Sequence, residues 1–259
     1  MENPVRTMNL LVDIGNTRAK VALADEKGCV EQVAVADTLS REVVAPLVTK
    51  PAIRHAILST TRRTADEEVA LLTALGVEVL QLDASTPLPI GIAYRTPETL
   101  GRDRVAAAVG AMVRYPKRNC LVVDLGTALT LDLVTSDGVF RGGVISLGYS
   151  NRLRALNEYT ATLPLGGVIS PEGELPLQGL TTLEAIERGV FNSVCFEIES
   201  YQRRWEADFA DLCVIVTGGE AKYFEKQIKN AIFAEPNLVF YGLNRILEYN
   251  LAQNATAKK

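Results

Sequence analysis

The chain has 259 residues, of which 47% are hydrophobic and 22% charged, with a formal net charge of -4 and a pI near 5.3. This acidic balance excludes a general nucleic-acid binder, and no apolar run approaches the ~20 residues of a membrane helix. The first residues lack the apolar stretch of a secretory signal, and the cysteines lack paired metal-ligand spacing. We therefore expect a cytoplasmic protein with reduced thiols and no membrane or nucleic-acid partner.

The first predicted elements are strands around the turn Asp13-Ile14-Gly15-Asn16-Thr17. Apolar runs at residues 10–12 and 21–23 flank this turn, and a third β-prone stretch follows Gly28. Glycine lets a backbone approach a ligand closely, Asn and Thr donate to phosphate oxygens, and Asp can hold a cation. Asp and Gly are also ordinary residues of tight turns, and Lys20 could be a simple exposed strand lysine. The turn alone therefore fits both a phosphate site and a structural hairpin.

A succession of strands and helices follows, which predicts a mixed sheet covered by helices. The predicted elements are a helix over residues 40–48, a strand over 56–58, a helix over 64–75 and a strand over 77–82. Residues 85–99, rich in Pro and Thr, form a loop long enough to suggest a function. An alanine-rich helix over 102–115 ends at Pro116, and we place the end of a first domain, 1–118, just beyond it.

Asp103 lies between two arginines at the start of that helix, in Gly101-Arg102-Asp103-Arg104. An acidic residue in a first helical turn often does no more than compensate the helix dipole. The flanking arginines favour the ionised carboxylate, and the fork of an arginine suits an anionic substrate. Phosphoryl transfer to a small hydroxy acid requires a base that accepts the hydroxyl proton. It also requires a cation beside that base to bind the acid group.

The second predicted domain, 119–259, repeats the first turn. Asp124-Leu125-Gly126-Thr127 follows an apolar run at residues 121–123 and leads into another at 129–134, before a glycine turn at Gly138. Because the whole strand and turn pattern recurs, it predicts a duplicated domain. Two such turns facing each other would hold a nucleoside triphosphate.

The rest of the second domain is predicted to alternate helices and strands. A helix is expected over residues 150–163, and a capping box at 181–184 opens a longer one. The strand at 214–216 leads to Gly218-Gly219, before a helix predicted over 220–231. This double glycine could admit an adenine or ribose, although a tight turn between strand and helix explains it nearly as well.

In these motifs the chain resembles the type III pantothenate kinases, of the actin-like and sugar-kinase-like superfamily. Residues 13–20 match the family's DxGNTxxK, residues 101–104 match GxDR, and residues 124–130 match DxGTAxT, in the family's order across essentially the whole chain. One departure is Leu147, where the family usually carries Pro. The resemblance implies an α/β fold of two ribonuclease-H-like domains, each a mixed β-sheet flanked by helices.

The resemblance also implies roles for individual residues. Asp103 is implied as the general base for the pantothenate hydroxyl, Asp13 lies near Mg²⁺, and Asp124 binds a monovalent cation, K⁺ or NH₄⁺. Family members are homodimers. The implied ATP-binding residues are Asp13, Ile14, Gly15, Asn16, Thr17, Arg18, Ala19, Lys20, Gly126, Thr127, Gly218 and Gly219. The implied substrate-binding residues are Tyr94, Gly101, Arg102, Asp103, Arg104 and Thr182.

The predicted function is ATP-dependent phosphorylation of pantothenate to 4'-phosphopantothenate, the first step of coenzyme A biosynthesis. The alternatives are another small-molecule kinase or phosphohydrolase of the same superfamily, and a non-catalytic regulatory homologue. Residues 101–104 and Tyr94 favour pantothenate, because a sugar has no carboxylate for an arginine pair to bind. Intact Asp13, Asp103 and Asp124 favour catalysis over regulation, and the sequence has no GxxxxGK[ST] motif of a P-loop kinase.

Overall fold

The computed structural model describes residues 8–25, 27–48, 53–62, 64–173, 175–228, 231–232 and 235–257. The extension predicted at residues 1–7 lies outside the described residues. Contacts divide the chain into two compact units. Unit 1 comprises Met1–Pro116, Gly138–Phe140 and Asn237–Lys259, and unit 2 comprises Lys117–Asp137 and Arg141–Pro236.

Strands and helices alternate along both units. The strands are β1 (Met8–Ile14), β2 (Ala19–Asp25), β3 (Val30–Ala36), β4 (Ile53–Thr60), β5 (Glu78–Gln81), β6 (Gly91–Ile92), β7 (Cys120–Leu125), β8 (Ala128–Thr135), β9 (Val139–Leu147), β10 (Cys213–Thr217) and β11 (Ala231–Ile232). The helices are α1 (Arg41–Val48), α2 (Asp66–Ala74), α3 (Arg102–Arg114), α4 (Tyr149–Glu158), α5 (Thr182–Asp208) and α6 (Leu238–Ala257). None of the helices in the described residues is long and apolar enough to span a lipid bilayer.

The sheet of unit 1 has five strands in the order β3-β2-β1-β4-β5. β2 is antiparallel to β1 and β3, whereas β4 runs parallel to β1 and β5 runs parallel to β4. Alternate residues of β1, Leu10, Val12 and Ile14, pack into a core with Val44 of α1 and Leu72 of α2. The period of two places Asp13 on the opposite face of the sheet from this core.

Helix α6 belongs to unit 1 although it closes the chain. Its Asn244 accepts a hydrogen bond of 2.8 Å from the Asn9 side chain of β1, and its Asn250 donates one of 2.9 Å to the carbonyl oxygen of Pro87. These contacts tie the last helix to the first strand. The predicted domain ranges, 1–118 and 119–259, stay a prediction; contacts in the structure group α6 with unit 1.

The second sheet has six strands in the order β11-β10-β7-β8-β9-β6, and its segment β9-β8-β7-β10-β11 repeats the strand order of unit 1. β8 is antiparallel to β7, while β10 runs parallel to β7 and β11 parallel to β10. Phe191, Val194 and Ile198 of α5 pack against Leu121 and Val123 of β7 in its core. The first residues of β9 pair with β6 and are grouped with unit 1. The predicted fold class, α/β with two mixed sheets flanked by helices, is confirmed.

Candidate functional site

Turn 1, which we define as residues 13–18, joins β1 to β2 in unit 1. The amide of Gly15 donates to the carbonyl oxygen of Arg18 at 3.0 Å, which closes the turn. Ile14 and Ala19 are buried, whereas Asn16, Thr17 and Arg18 are exposed. The buried ends therefore fix the turn in the sheet and leave its tip open to a ligand.

Asp13 and Lys20 lie directly opposite each other on β1 and β2. Opposed residues of antiparallel strands share one face of the sheet, with Cβ atoms about 5 Å apart. The pairing register thus places an acidic and a basic residue on one face at the base of turn 1, and both residues are partly accessible to solvent. This register favours a charged site over the simple exposed lysine.

Thr61, just beyond β4, supports turn 1 and was not singled out in the sequence. Its amide donates to the carbonyl oxygen of Ile14 at 3.0 Å, and its hydroxyl lies 3.4 Å from Oδ1 of Asn16. Because β4 runs parallel to β1, the residues that follow both strands meet at the same edge of the sheet. The signal available in the sequence was the polar run at residues 59–63, which follows the predicted strand at 56–58.

The start of α3 holds the segment 101–104. Oδ1 of Asp103 accepts a hydrogen bond of 2.9 Å from the amide of Arg104. A Cβ atom at position 101 would lie 2.5 Å from that same oxygen, so glycine leaves the space that the carboxylate occupies. The local backbone therefore fixes Asp103 at the first turn of the helix while its side chain stays partly accessible.

Arg102 binds the loop that precedes α3. Its guanidinium donates to the carbonyl oxygens of Asp83 at 3.3 Å, Pro97 at 2.7 Å and Glu98 at 3.3 Å. Desolvation lowers the pKa of Arg102, and the charges of Asp83 and Asp103 partly oppose that shift. The structure places this arginine where it ties residues 83–98 to the helix, and its predicted contact with substrate stays a prediction.

Arg104 is only 6% exposed and lies among aromatic rings. Its guanidinium carbon is 6.0 Å from the ring centroid of Tyr94 and 5.8 Å from that of Phe140, and the two rings meet edge to face at 6.1 Å. Such contacts hold a cation at a defined position. Phe140 could not be selected from the sequence, because it pairs with β6, a strand of two residues inside the predicted loop.

Turn 2, which we define as residues 124–127, joins β7 to β8 in unit 2. The amide of Gly126 donates to the carbonyl oxygen of Ala128 at 3.1 Å. The carbonyl oxygen of Thr127 accepts from the amide of Gly148 at 3.1 Å and from the Asn151 side chain at 2.7 Å. The start of α4 therefore holds the backbone of turn 2.

Glycines let three backbone segments converge at turn 2. A Cβ atom at Gly148 would lie 1.9 Å from the carbonyl oxygen of Gly126. At Gly218, where φ is +97°, it would lie 2.4 Å from the carbonyl oxygen of Leu125 and 2.5 Å from Oδ1 of Asp124. The double-glycine turn thus packs directly against the carboxylate of Asp124. The structure brings together the predicted residues Asp124, Gly126, Thr127 and Gly218.

Glu220 joins this cluster and was missed in the sequence. Its amide donates to the carbonyl oxygen of Leu125 at 2.9 Å, and its carboxylate accepts from the amides of Tyr149 at 3.0 Å and Ser150 at 3.2 Å. It also accepts a short hydrogen bond from the Ser150 hydroxyl. No local sequence signal could have linked Glu220 to residues about 70 positions earlier.

Thr182, the remaining predicted residue, is the first residue of α5. The helix begins as predicted, because the Thr181 side chain accepts from the amide of Glu184 at 3.2 Å. Thr182 lines a cavity of about 320 Å³ in unit 2, together with Leu156, Leu163, Ala185, Ile186, Gly189, Val190 and Ser193. None of these lining residues belongs to turn 2.

The described residues contain no group of three or more His, Cys, Asp or Glu side chains that could hold a metal ion. A magnesium ion that arrives with a nucleotide needs fewer protein ligands, since it keeps several waters and takes one or two carboxylates plus phosphate oxygens. Asp13 and Asp124 lie in turn 1 and turn 2, near the ends of β1 and β7, and each offers one carboxylate.

Comparisons with known proteins place the chain in a family. The sequence model described as type III pantothenate kinase matches residues 9–204. A type III pantothenate kinase of Bacteroides fragilis is 42% identical over 243 residues, which cover 94% of this chain and 98% of that protein.

Two solved structures share the fold of the chain. A conserved putative Baf family transcriptional activator from Campylobacter jejuni has a TM-score of 0.58 at 20% identity and covers 94% of this chain and 99% of its own. A putative 2-dehydro-3-deoxygalactonokinase from Sinorhizobium meliloti has a TM-score of 0.57 at 13% identity and covers 93% and 99%. At such identities these structures show the fold alone, which is the actin-like and sugar-kinase-like fold.

Proposed function

The chain belongs to the type III pantothenate kinase family, and we propose that it transfers the terminal phosphoryl group of ATP to the hydroxyl of pantothenate. This reaction opens coenzyme A biosynthesis. The observation that carries the proposal is the Asp103 carboxylate beside Gly101, adjacent in sequence to a buried Arg104 among aromatic rings. A receptor for a carboxylate is what a hydroxy acid requires and a simple sugar does not.

In this proposal Asp103 accepts the proton of the pantothenate hydroxyl as that oxygen attacks phosphorus. The hydrogen bond from the Arg104 amide holds one carboxylate oxygen at 2.9 Å and leaves the other for the substrate. Loose phosphoryl transfer depends mainly on positioning and charge stabilisation, and a positioned base typically contributes about 10²-fold or more.

Turn 1 and turn 2 both bind the triphosphate in this proposal. The exposed residues 16–18, with Lys20 beside Asp13, contact phosphate oxygens from turn 1, and Thr127 contacts them from turn 2. Gly218-Gly219 lies on the adenosine side. Asp13 holds Mg²⁺, which when bound with ATP neutralises part of the phosphate charge.

Asp124 is proposed as the ligand of a monovalent cation, K⁺ or NH₄⁺. Its carboxylate lies against the backbone of Gly218, near the carbonyl oxygen of Leu125. Oxygen ligands of this kind suit a weakly hydrated cation.

Pantothenate is proposed to place its carboxylate on Arg104, with Tyr94, Gly101 and Arg102 around it and Thr182 as a further contact. A cation held between aromatic rings loses little freedom on binding, which favours a forked pair of hydrogen bonds to a carboxylate.

We also propose a homodimer, because Ile145 and Leu147 of β9 and Phe196 of α5 are 62%, 52% and 53% exposed in unit 2. Sedimentation equilibrium measures that state.

We propose a cytoplasmic location for the enzyme. All four cysteines are free thiols, three of them buried, which suits a reducing compartment.

A phosphoryl-transfer assay with ATP, Mg²⁺ and pantothenate tests the function. We expect phosphopantothenate to form, with a strong rise in rate when K⁺ or NH₄⁺ replaces Na⁺. Asp124→Ala should abolish that rise, whereas Asp208→Asn, an exposed carboxylate at the end of α5, should leave it intact. ATP hydrolysis without acceptor indicates a phosphohydrolase, turnover of sugars indicates a different kinase, and nucleotide binding without turnover indicates a regulatory protein.

A further inference from the structure

Glu220 makes hydrogen bonds through both its backbone amide and its side-chain carboxylate. Its backbone amide binds the carbonyl oxygen of Leu125 at 2.9 Å, inside turn 2. Its carboxylate binds the amides of Tyr149 at 3.0 Å and Ser150 at 3.2 Å, and also the Ser150 hydroxyl. The residue directly follows Gly218-Gly219, so one residue connects that turn, turn 2 and α4.

Within the described part of the chain, Glu220 is the anionic side chain that caps the start of α4. Its N-cap residue, Gly148, has no side chain to accept a hydrogen bond, and the first turn of α4 contains no acidic residue. The first amides of a helix need acceptors, and the positive end of its dipole attracts a negative charge. Glu220 supplies both from about 70 residues further along the chain.

The start of α4 in turn sets the position of Thr127. The Gly148 amide and the Asn151 side chain both donate to the Thr127 carbonyl oxygen, at 3.1 and 2.7 Å. The clearance between Gly148 and Gly126 leaves no room for a Cβ atom. A shift of the α4 start therefore displaces turn 2.

We propose that Glu220 is a positioning residue for ATP: by capping α4 it sets Thr127 in turn 2 relative to the Gly218-Gly219 turn. The inference rests on the proposed function, since these two turns are the proposed phosphate and adenosine contacts of unit 2. It assigns Glu220 no contact with the reacting atoms. Its loss changes nucleotide binding and leaves the acceptor segment of unit 1 intact.

The test compares three variants of the full chain with the wild type in steady-state kinetics and in direct titration of Mg-ATP without pantothenate. Glu220→Gln places an amide donor against backbone donors, and we expect the KM and Kd for ATP to rise about tenfold, as for loss of a charged hydrogen bond. The KM for pantothenate should stay within about twofold. Glu220→Asp, which keeps the charge, should recover part of the ATP affinity.

Glu184→Gln is the matched control, because Glu184 accepts a backbone hydrogen bond of 2.8 Å at the start of α5 in the same unit. Its KM for ATP should stay within about twofold of the wild type. If Glu220→Gln does not fold, Ser150→Ala removes only the hydroxyl bond and should raise the KM for ATP about threefold.

Unchanged ATP binding in the folded Glu220 variants, or equal losses for ATP and pantothenate, overturns the inference. Normal ATP binding by the wild type without phosphorylation of pantothenate instead overturns the proposed function. The titration without acceptor therefore separates the two failures.

Discussion

Turn 1 and turn 2 occupy the same place in sheets of the same strand order, yet the protein holds them differently. Turn 1 has an exposed tip, and Thr61, just beyond β4, contacts it. Turn 2 is packed against α4 and the Gly218 turn so closely that neither Gly148 nor Gly218 has room for a Cβ atom. Unit 1 presents charged side chains, and unit 2 presents a fixed backbone. Duplication thus supplied two similar turns, and close packing distinguishes one from the other.

The largest expected effect concerns the charged side chains of unit 1. Asp103→Asn keeps the shape of the side chain but removes the proposed base, so we expect kcat to fall about 10²-fold or more. The melting temperature and the KM for pantothenate should change little. Asp208→Asn is the control. A kcat near that of the wild type would show that Asp103 only positions the substrate and that the proton leaves by another route.

The next effect concerns the packed backbone of unit 2. Gly148→Ala forces a Cβ atom to within 1.9 Å of the Gly126 carbonyl oxygen. We expect the free energy of unfolding to fall by about 3 kcal/mol and ATP to bind more weakly, as for other overpacked sites. Gly173→Ala is the matched control, since that position has no atom within 4 Å of the added Cβ. Equal stability of the two variants in urea unfolding would show that turn 2 is not closely packed at Gly148.

A smaller effect is expected at the acceptor segment. Arg104→Leu removes the charge among the rings of Tyr94 and Phe140, and Arg104→Lys keeps the charge but loses the fork. We expect the KM for pantothenate to rise about tenfold for Leu and less for Lys, with the KM for ATP unchanged. Amides of pantothenate, which lack the carboxylate, should be affected much less by Arg104→Leu. A selective loss of ATP binding would show that Arg104 belongs to the phosphate site and does not bind pantothenate.

The smallest effect is a pH dependence within unit 2. Burial raises the pKa of Tyr149 from 10.0 to about 12, while its hydroxyl accepts from the Ile169 amide at 2.8 Å. Above pH 10 the unfolded chain loses this proton and the folded chain keeps it, so stability is complete below pH 10 and declines toward pH 12. We expect a decline of about 1 kcal/mol by pH 11. In urea unfolding, Tyr149→Phe should lose less stability between pH 9 and pH 11 than the wild type; equal losses would refute the assignment.

The sequence predicted the features of the site that are local in the chain. Both acidic glycine turns, the strands around them and the helix after Gly101 follow from apolar runs and turn residues within about ten positions. The mixed sheets and the α/β fold follow from the same patterns. Gly28 and Gly138 have φ of 75° and 79°, as their places in the repeated turns predict.

Contacts between distant segments could not be predicted in this way. Glu220, Thr61 and Phe140 each act on a residue that is far away in sequence, and no spacing rule connects them. The helix predicted over residues 220–231 is wrong: the structure has a short 3-10 turn, Ala221–Tyr223, and strand β11. Phe224 and Ile228 have the spacing of one helical turn, but Phe224 stacks on Phe191 at 4.6 Å. This tertiary packing overrides the local preference.

The return of α6 to β1 determines the order in which the protein can be completed during synthesis. Unit 2 is drawn from residues 117–236, whereas unit 1 also needs the segment Asn237–Lys259. Domains usually fold as they emerge from the ribosome, the N-terminal one first. Here the strand that carries Asp13 leaves the ribosome before unit 2, but its Asn9 meets Asn244 only after the residues of unit 2 have been made. Unit 1 begins to be translated before unit 2 and is therefore completed after it.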